Sequence, residues 1–295
     1  MLKKILIPLD GSELGELALV YAKELAGALN LQVQLTFVVE HRNKETSQVF
    51  ENYLDKVAER LRTQVKRTNQ ESEINTVVLN GEPASALIEY SKKEGVDLLI
   101  IMSHGQSGIM PWVMGGTASK VVQRSQVPVL VVRASEALSR RRPIQVFKKI
   151  LLPLDGSPMG EAALPYVKII AQALDCEVIL LRVVEAVQKI YTVGGIDHFV
   201  YSDQQIERMK NEAQQYLEKI SRQFEKVKIS NVLHIGDAAR EIVKVSDEEK
   251  VNLIAMSSHG KSGITQWVMG SVSSKVLQAG KTPILMVRPG KKTSE

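Results

Sequence analysis

The chain says nearly the same thing twice. Lys3-Lys4-Ile5-Leu6-Ile7-Pro8-Leu9-Asp10-Gly11-Ser12 returns as Lys148-Lys149-Ile150-Leu151-Leu152-Pro153-Leu154-Asp155-Gly156-Ser157, and Ser103-His104-Gly105 to Gln123 returns as Ser258-His259-Gly260 to Gln278. Each copy has the length of an ordinary domain, which excludes a solenoid unit and predicts two fused copies of one globular fold. The first copy is expected at residues 1–134, a linker at 135–146 and the second copy at 147–290. Arg140-Arg141-Arg142 and Pro143 mark the linker, where a solvated charge run needs no further explanation.

Within each copy, short apolar runs alternate with helical patterns. Ile5 to Leu9, Val33 to Val39, Val77 to Leu79, Leu98 to Met102 and Val129 to Val132 are rich in branched residues and lack polar alternation, so they read as strands buried on both faces. Ile150 to Leu154, Val178 to Val184, Val227 to Leu233, Leu253 to Met256 and Ile284 to Val287 repeat the series. Leu14, Leu17, Ala18, Tyr21, Leu25 and Leu29 follow at helical spacing behind Ser12, a good N-cap. In the second copy the cap is Ser157, with Pro158 at the favoured first helical position. Strand and helix alternating to a fifth strand require right-handed crossovers, hence an α/β chain of two doubly wound, five-stranded parallel sheets. The second copy is ten residues longer between its aspartate and its glycine block, and most of that excess is placed at Ala186 to Tyr201.

The 44% apolar content of 295 residues is ample for two cores. The net charge of +5 is spread along helices and not gathered with aromatics, which argues against nucleic acid as a partner. No apolar run approaches the length of a bilayer-spanning helix and no charged-then-apolar leader precedes the first strand, so a cytoplasmic protein without a membrane partner is expected. The single cysteine, Cys176, reads as a small core residue in a reducing compartment.

Open parallel sheets bind ligands beyond the carboxyl ends of their strands. Asp10 and Asp155 lie there, as do Gly105-x2-Gly108 continuing to Gly115-Gly116-Thr117 and Gly260-x2-Gly263 continuing to Gly270-Ser271. Glycines let a backbone approach a ligand, and a helix starting near Gly115 or Gly270 turns unpaired N–H groups and its positive dipole end toward the crevice, a place that suits phosphate. An aspartate before Gly-Ser is also an ordinary turn and cap residue. His104 and His259 read as loop-ordering residues, because neither copy offers a serine–histidine–carboxylate order or a metal-ligand set. Trp112 and Trp267 read as packing residues of the same loop. Gly260-Lys261-Ser262 mimics the end of a P-loop, but the glycine needed five positions earlier is Ala255 and the first copy has Gln106 for the lysine. No catalytic residue is assigned, and phosphoryl transfer has no visible machinery.

These residues resemble the universal stress proteins, whose nucleotide-binding members carry a glycine, two residues, a glycine, nine residues, then Gly-Ser or Gly-Thr. The resemblance covers both copies almost completely and implies a tandem member with a Rossmann-like fold of the adenine nucleotide alpha hydrolase-like kind. Gly260 and Gly270-Ser271 complete the pattern in the second copy, and Gly105 and Gly115 match in the first. Two departures stand out: the family's first glycine is Met102 or Ser257, and its hydroxyl residue is Gly116 in the first copy.

The resemblance implies that Asp10 and Asp155 accept hydrogen bonds from adenine or ribose, and that Val38 and Val183 touch the base. Gly105, Gly115, Gly116 and Thr117, with Gly260, Gly270, Ser271 and Val272, would line the ribose and phosphates, and Pro8, Leu9, Met102, Pro153, Leu154 and Ser257 complete the two sites. The implied ligand is ATP, or ADP or AMP, with magnesium accompanying the nucleotide, in a regulatory stress-response module that binds more than it turns over. The rivals are a slow ATP-hydrolysing or adenylating enzyme of the same fold group and a nucleotide-free interaction protein. The fifth strands, apolar edges both, are expected to pair across a pseudo-two-fold axis, and an isolated first copy would form a homodimer through Val129 to Val132.

Overall fold

A computed structural model describes residues 2–40, 44–66, 72–104, 114–133, 145–185, 203–260 and 269–290. The N-terminal half runs β1 (Lys4–Pro8), α1 (Glu13–Glu16), α2 (Ala18–Leu29), β2 (Gln32–Val39), α3 (Lys44–Lys66), β3 (Ile74–Asn80), α4 (Pro83–Lys93), β4 (Leu98–Met102), α5 (Gly116–Arg124) and β5 (Val129–Val132). The C-terminal half runs β6 (Lys149–Pro153), a 3-10 turn (Gly160–Ala163), α6 (Leu164–Leu174), β7 (Glu177–Val184), α7 (Asp203–Ser221), β8 (Ile229–Ile235), α8 (Ala238–Glu248), β9 (Leu253–Ser257), α9 (Ser271–Ala279) and β10 (Ile284–Val287). Most of the expected linker and the whole expected excess at 186–201 lie outside the described residues, as do Gly105, Gly108, Trp112, Gly263 and Trp267.

All ten strands form one sheet in the order β3-β2-β1-β4-β5-β10-β9-β6-β7-β8. Every neighbouring pair within a half is parallel, as buried strands joined by helical crossovers require. The halves meet where β5 and β10 pair antiparallel, Leu130 facing Leu285. The two apolar fifth strands thus cover each other's edge. Alternate residues feed two cores, one on each face: Ile5 and Ile7 point to one and Leu6 to the other, and both cores run across the seam.

Two arginines just past the fifth strands reach across. A guanidinium N–H of Arg133 donates to the Leu277 carbonyl near the end of α9, and one of Arg288 donates to the Gln123 carbonyl near the end of α5. Each half thereby satisfies carbonyls that the other's helix leaves orphaned at its C-terminus, with the sign of charge that suits it. Burial lowers the Arg133 pKa to about 10. The Glu24 carboxylate of α2 holds the chain entering β6, accepting from the Val146 and Phe147 amides at 2.6 and 3.0 Å. Cys176 is buried and its thiol pushed up to about 12, chiefly by burial, as a core cysteine should be.

One local expectation fails. Pro158 lies in a turn, and α6 starts only at Leu164, after the 3-10 turn. The first copy breaks at the matching place, Leu17 between α1 and α2, with Val20 where the second has Pro165, so the break belongs to both copies; the proline, which has no N–H to bond the Glu161 carbonyl, fits the first turn of the helix that begins afresh. Ser157 still caps, accepting from the Gly160 amide at 3.0 Å.

Candidate functional site

Each half closes a small polar ring after its first strand. In the C-terminal half, Asp155 Oδ1 accepts from the Ser157 amide at 2.9 Å and from its hydroxyl at 2.7 Å, and Ser157 Oγ accepts from the Gly160 amide. Asp10, Ser12 and Gly15 repeat the ring, with distances of 3.0, 2.6 and 2.9 Å. The aspartates are therefore turn and cap residues whatever else they hold. A Cβ on Gly160 would lie 2.1 Å from Asp155 Oδ1 and one on Gly260 would lie 2.4 Å from Oδ2, so two glycines make room for one carboxylate.

The glycines before α5 and α9 likewise have a reason inside the protein. The Gly115 and Gly270 amides donate to the Ser103 and Ser258 carbonyls at 2.8 Å, and an added Cβ would meet those carbonyls at 3.3 Å. They are spent on the turn from strand to helix, which leaves the amides of the first helical residues, Gly116 and Thr117 or Ser271 and Val272, as those turned to the crevice. Ser273 Oγ reinforces the turn from 2.9 Å to both the Ser258 and the Gly270 carbonyls, its one proton shared between them.

His104 and His259 are buried, with Nδ1 3.1 and 2.8 Å from Ser103 Oγ and Ser258 Oγ. Burial first, then the charge of Arg133, holds the His104 pKa below the ordinary histidine range. Ser257 Oγ accepts from the His259 amide at 3.2 Å, joining the same loop.

In the C-terminal half these pieces surround a cavity of about 700 Å³ at the carboxyl ends of β6, β7 and β9, a size that suits a nucleotide-sized ligand. Pro153, Leu154, Asp155, Val183, Ser257, Gly260, Gly270, Ser271 and Val272 all line it. In the N-terminal half, Pro8, Leu9, Asp10, Val38, Met102, Gly115, Gly116 and Thr117 occupy the matching strand ends and helix start, and Gly105 is outside the described residues. At Gly116 an added Cβ would meet nothing within 4 Å, so only the missing hydroxyl distinguishes that position from Ser271.

The sequence comparison decides the kinship: residues 1–133 and 147–288 match the universal stress protein family. The chain belongs to that family. Universal stress protein MJ0577 of Methanocaldococcus jannaschii is 32% identical over 155 residues, 48% of this chain and 96% of that protein. Universal stress protein Rv2005c of Mycobacterium tuberculosis is 26% identical over 206 residues, 70% of this chain and 66% of its own. A universal stress protein structure from Archaeoglobus fulgidus aligns over 97% of this chain and 98% of its own, with a TM-score of 0.69 at 17% identity, a likeness of fold.

Sequence reasoning about this universal stress protein missed the far wall of the cavity. Arg182, Met209, Glu212, Ala213 and Tyr216 line it from β7 and α7. Arg182 Nη1 donates to the Leu154 and Val183 carbonyls, both at 3.3 Å. Burial lowers its pKa, opposed by the charges of Asp155, Tyr216 and Glu185. Tyr216 donates to Glu161 at 2.9 Å, and burial followed by that bond pushes its hydroxyl far above the usual tyrosine range. One signal for Arg182 was available, a charge inside the apolar run Val178 to Val184. Among the described residues no helix is long and apolar enough to cross a membrane.

Proposed function

We propose that the C-terminal half binds an adenine nucleotide, ATP or its shorter relatives ADP and AMP, and that the chain is a regulatory stress-response module acting by binding. The observation that carries this reading is that every residue the family's nucleotide pattern picks out in this half lines one cavity. The α9 N-terminus supplies amides and the positive end of a helix dipole for phosphate, and the Ser271 hydroxyl adds a donor beside them. Val183 and Asp155 line the same cavity, an apolar side chain and a carboxylate that suit a base or a ribose hydroxyl. Magnesium would accompany the phosphates as the nucleotide's own counterion.

Mass spectrometry of ligand carried through purification, followed by calorimetric titration with ATP, ADP, AMP and GTP, tests the reading. Adenine nucleotides should bind and GTP should bind more weakly. A chain that emerges empty and takes up none of the four would overturn it.

A further inference from the structure

Among the described residues the two halves differ where α3 and α7 cover the strand ends. Tyr53 and Tyr216 are equivalent, since they donate to Glu16 and Glu161 at 3.1 and 2.9 Å, and they fix the register of the two helices. One turn earlier stand Phe50 and Ala213; on the neighbouring strands stand Phe37 and Arg182. In the N-terminal half Phe37 and Phe50 stack, with ring centroids 3.9 Å apart and planes 15° apart, and Tyr53 meets Phe37 edge-on at 6.3 Å. In the C-terminal half a planar guanidinium takes the place of the Phe37 ring, and a methyl group takes the place of the Phe50 ring. Removing one ring from a stack leaves a gap one ring thick, and Arg182, Ala213 and Tyr216 all line the cavity there.

We propose that this gap is a slot for one planar heterocyclic base, stacked on the Arg182 guanidinium in the position that the Phe50 ring fills in the other half. The inference rests on the nucleotide reading above in taking that base to be adenine. The two bonds from Arg182 Nη1 to the Leu154 and Val183 carbonyls hold the guanidinium at the ends of two neighbouring strands, so its plane is set before a ligand arrives. Asp155 and Glu185 balance its charge, which makes it a stacking platform and leaves phosphate to the α9 N-terminus. The N-terminal half fills its own slot with Phe50 and so holds no base; the chain takes one nucleotide.

Titration calorimetry on the full chain with ATP and with inorganic tripolyphosphate separates these roles. The wild-type chain should take one ATP. Ala213→Phe, which restores the missing ring, should weaken ATP binding by about a hundredfold or more, because the base then has no gap to enter. Arg182→Ala should weaken it by about threefold to thirtyfold, the range of a cation–π contact. Tripolyphosphate affinity should be unchanged in both variants. Circular dichroism checks folding; if Ala213→Phe does not fold, Arg182→Ala, which only removes atoms, decides between slot and no slot.

Two ATP per wild-type chain, wild-type ATP affinity in a folded Ala213→Phe, or a loss of tripolyphosphate binding in Arg182→Ala would each overturn the slot while leaving the protein a nucleotide binder. Failure of the wild-type chain to bind ATP, ADP, AMP or adenosine is the different result that removes the nucleotide reading, and the slot with it.

Discussion

Replacing Gly160 with alanine sets a methyl group against a carboxylate that has nowhere to go. The new Cβ would lie 2.1 Å from Asp155 Oδ1, and Gly260 closes the other side, where a Cβ would stand 2.4 Å from Oδ2. To clear the methyl, Asp155 must rotate and give up the bonds it accepts from the Ser157 amide and hydroxyl. Hydrogen bonds to a charged group contribute about 1.5–3 kcal/mol each, water recovers part of the loss, and alanine gains back about 1 kcal/mol over glycine in a helical turn. The net cost is about 2–4 kcal/mol, which for a cooperative unit of this size lowers Tm by roughly 5–15 °C. Thermal unfolding followed by circular dichroism measures it. The decisive comparison is the same substitution in an Asp155→Ala background, where the clash is gone and Gly160→Ala should be neutral or stabilising by up to about 1 kcal/mol. An equal cost in both backgrounds would refute the account of the ring.

Other expectations follow from single contacts. Ser271→Gly, which copies Gly116 into the C-terminal half, should weaken ATP binding about threefold to tenfold, the worth of one neutral hydrogen bond; unchanged affinity by calorimetry removes that hydroxyl from the site. His104 is buried with its pKa held down, so its contribution is complete above the ordinary histidine value of about 6.5 and is lost as pH falls through the depressed folded value. His104→Gln should therefore flatten the acid side of a Tm-against-pH curve, and an unchanged acid limb would show that other groups set it. Glu24→Gln removes the charge behind two amide bonds to the start of β6 and should cost about 1–3 kcal/mol in urea denaturation.

The strands and most helix starts were legible because buried parallel strands leave uninterrupted apolar runs and because each half repeats the other. Ser12 and Gly270 announced helices that begin one residue later. What periodicity does not carry is the reason for a glycine. Gly260, read as room for a ligand, makes room for Asp155, and Gly270 is needed for a turn before any ligand comes near. The α7 wall was invisible for a related reason: Ala213 and Tyr216 sit at helical spacing on an inward face, where a residue that lines a cavity and one that fills a core read alike. Only the comparison of Phe50 with Ala213 in space separates them.

The antiparallel seam of β5 and β10 also bears on inheritance. In a symmetric homodimer every substitution appears on both sides of the axis, so a change that closes one pocket closes its twin. Within a single chain the two sides are encoded separately, and a mutation strikes one alone. Because one chain joins them, the two sides of the seam stay together at any dilution, since their encounter no longer depends on protein concentration. One half is then free to keep a stacked pair of its own rings, Phe37 on Phe50, at the place where its sister keeps a cavity.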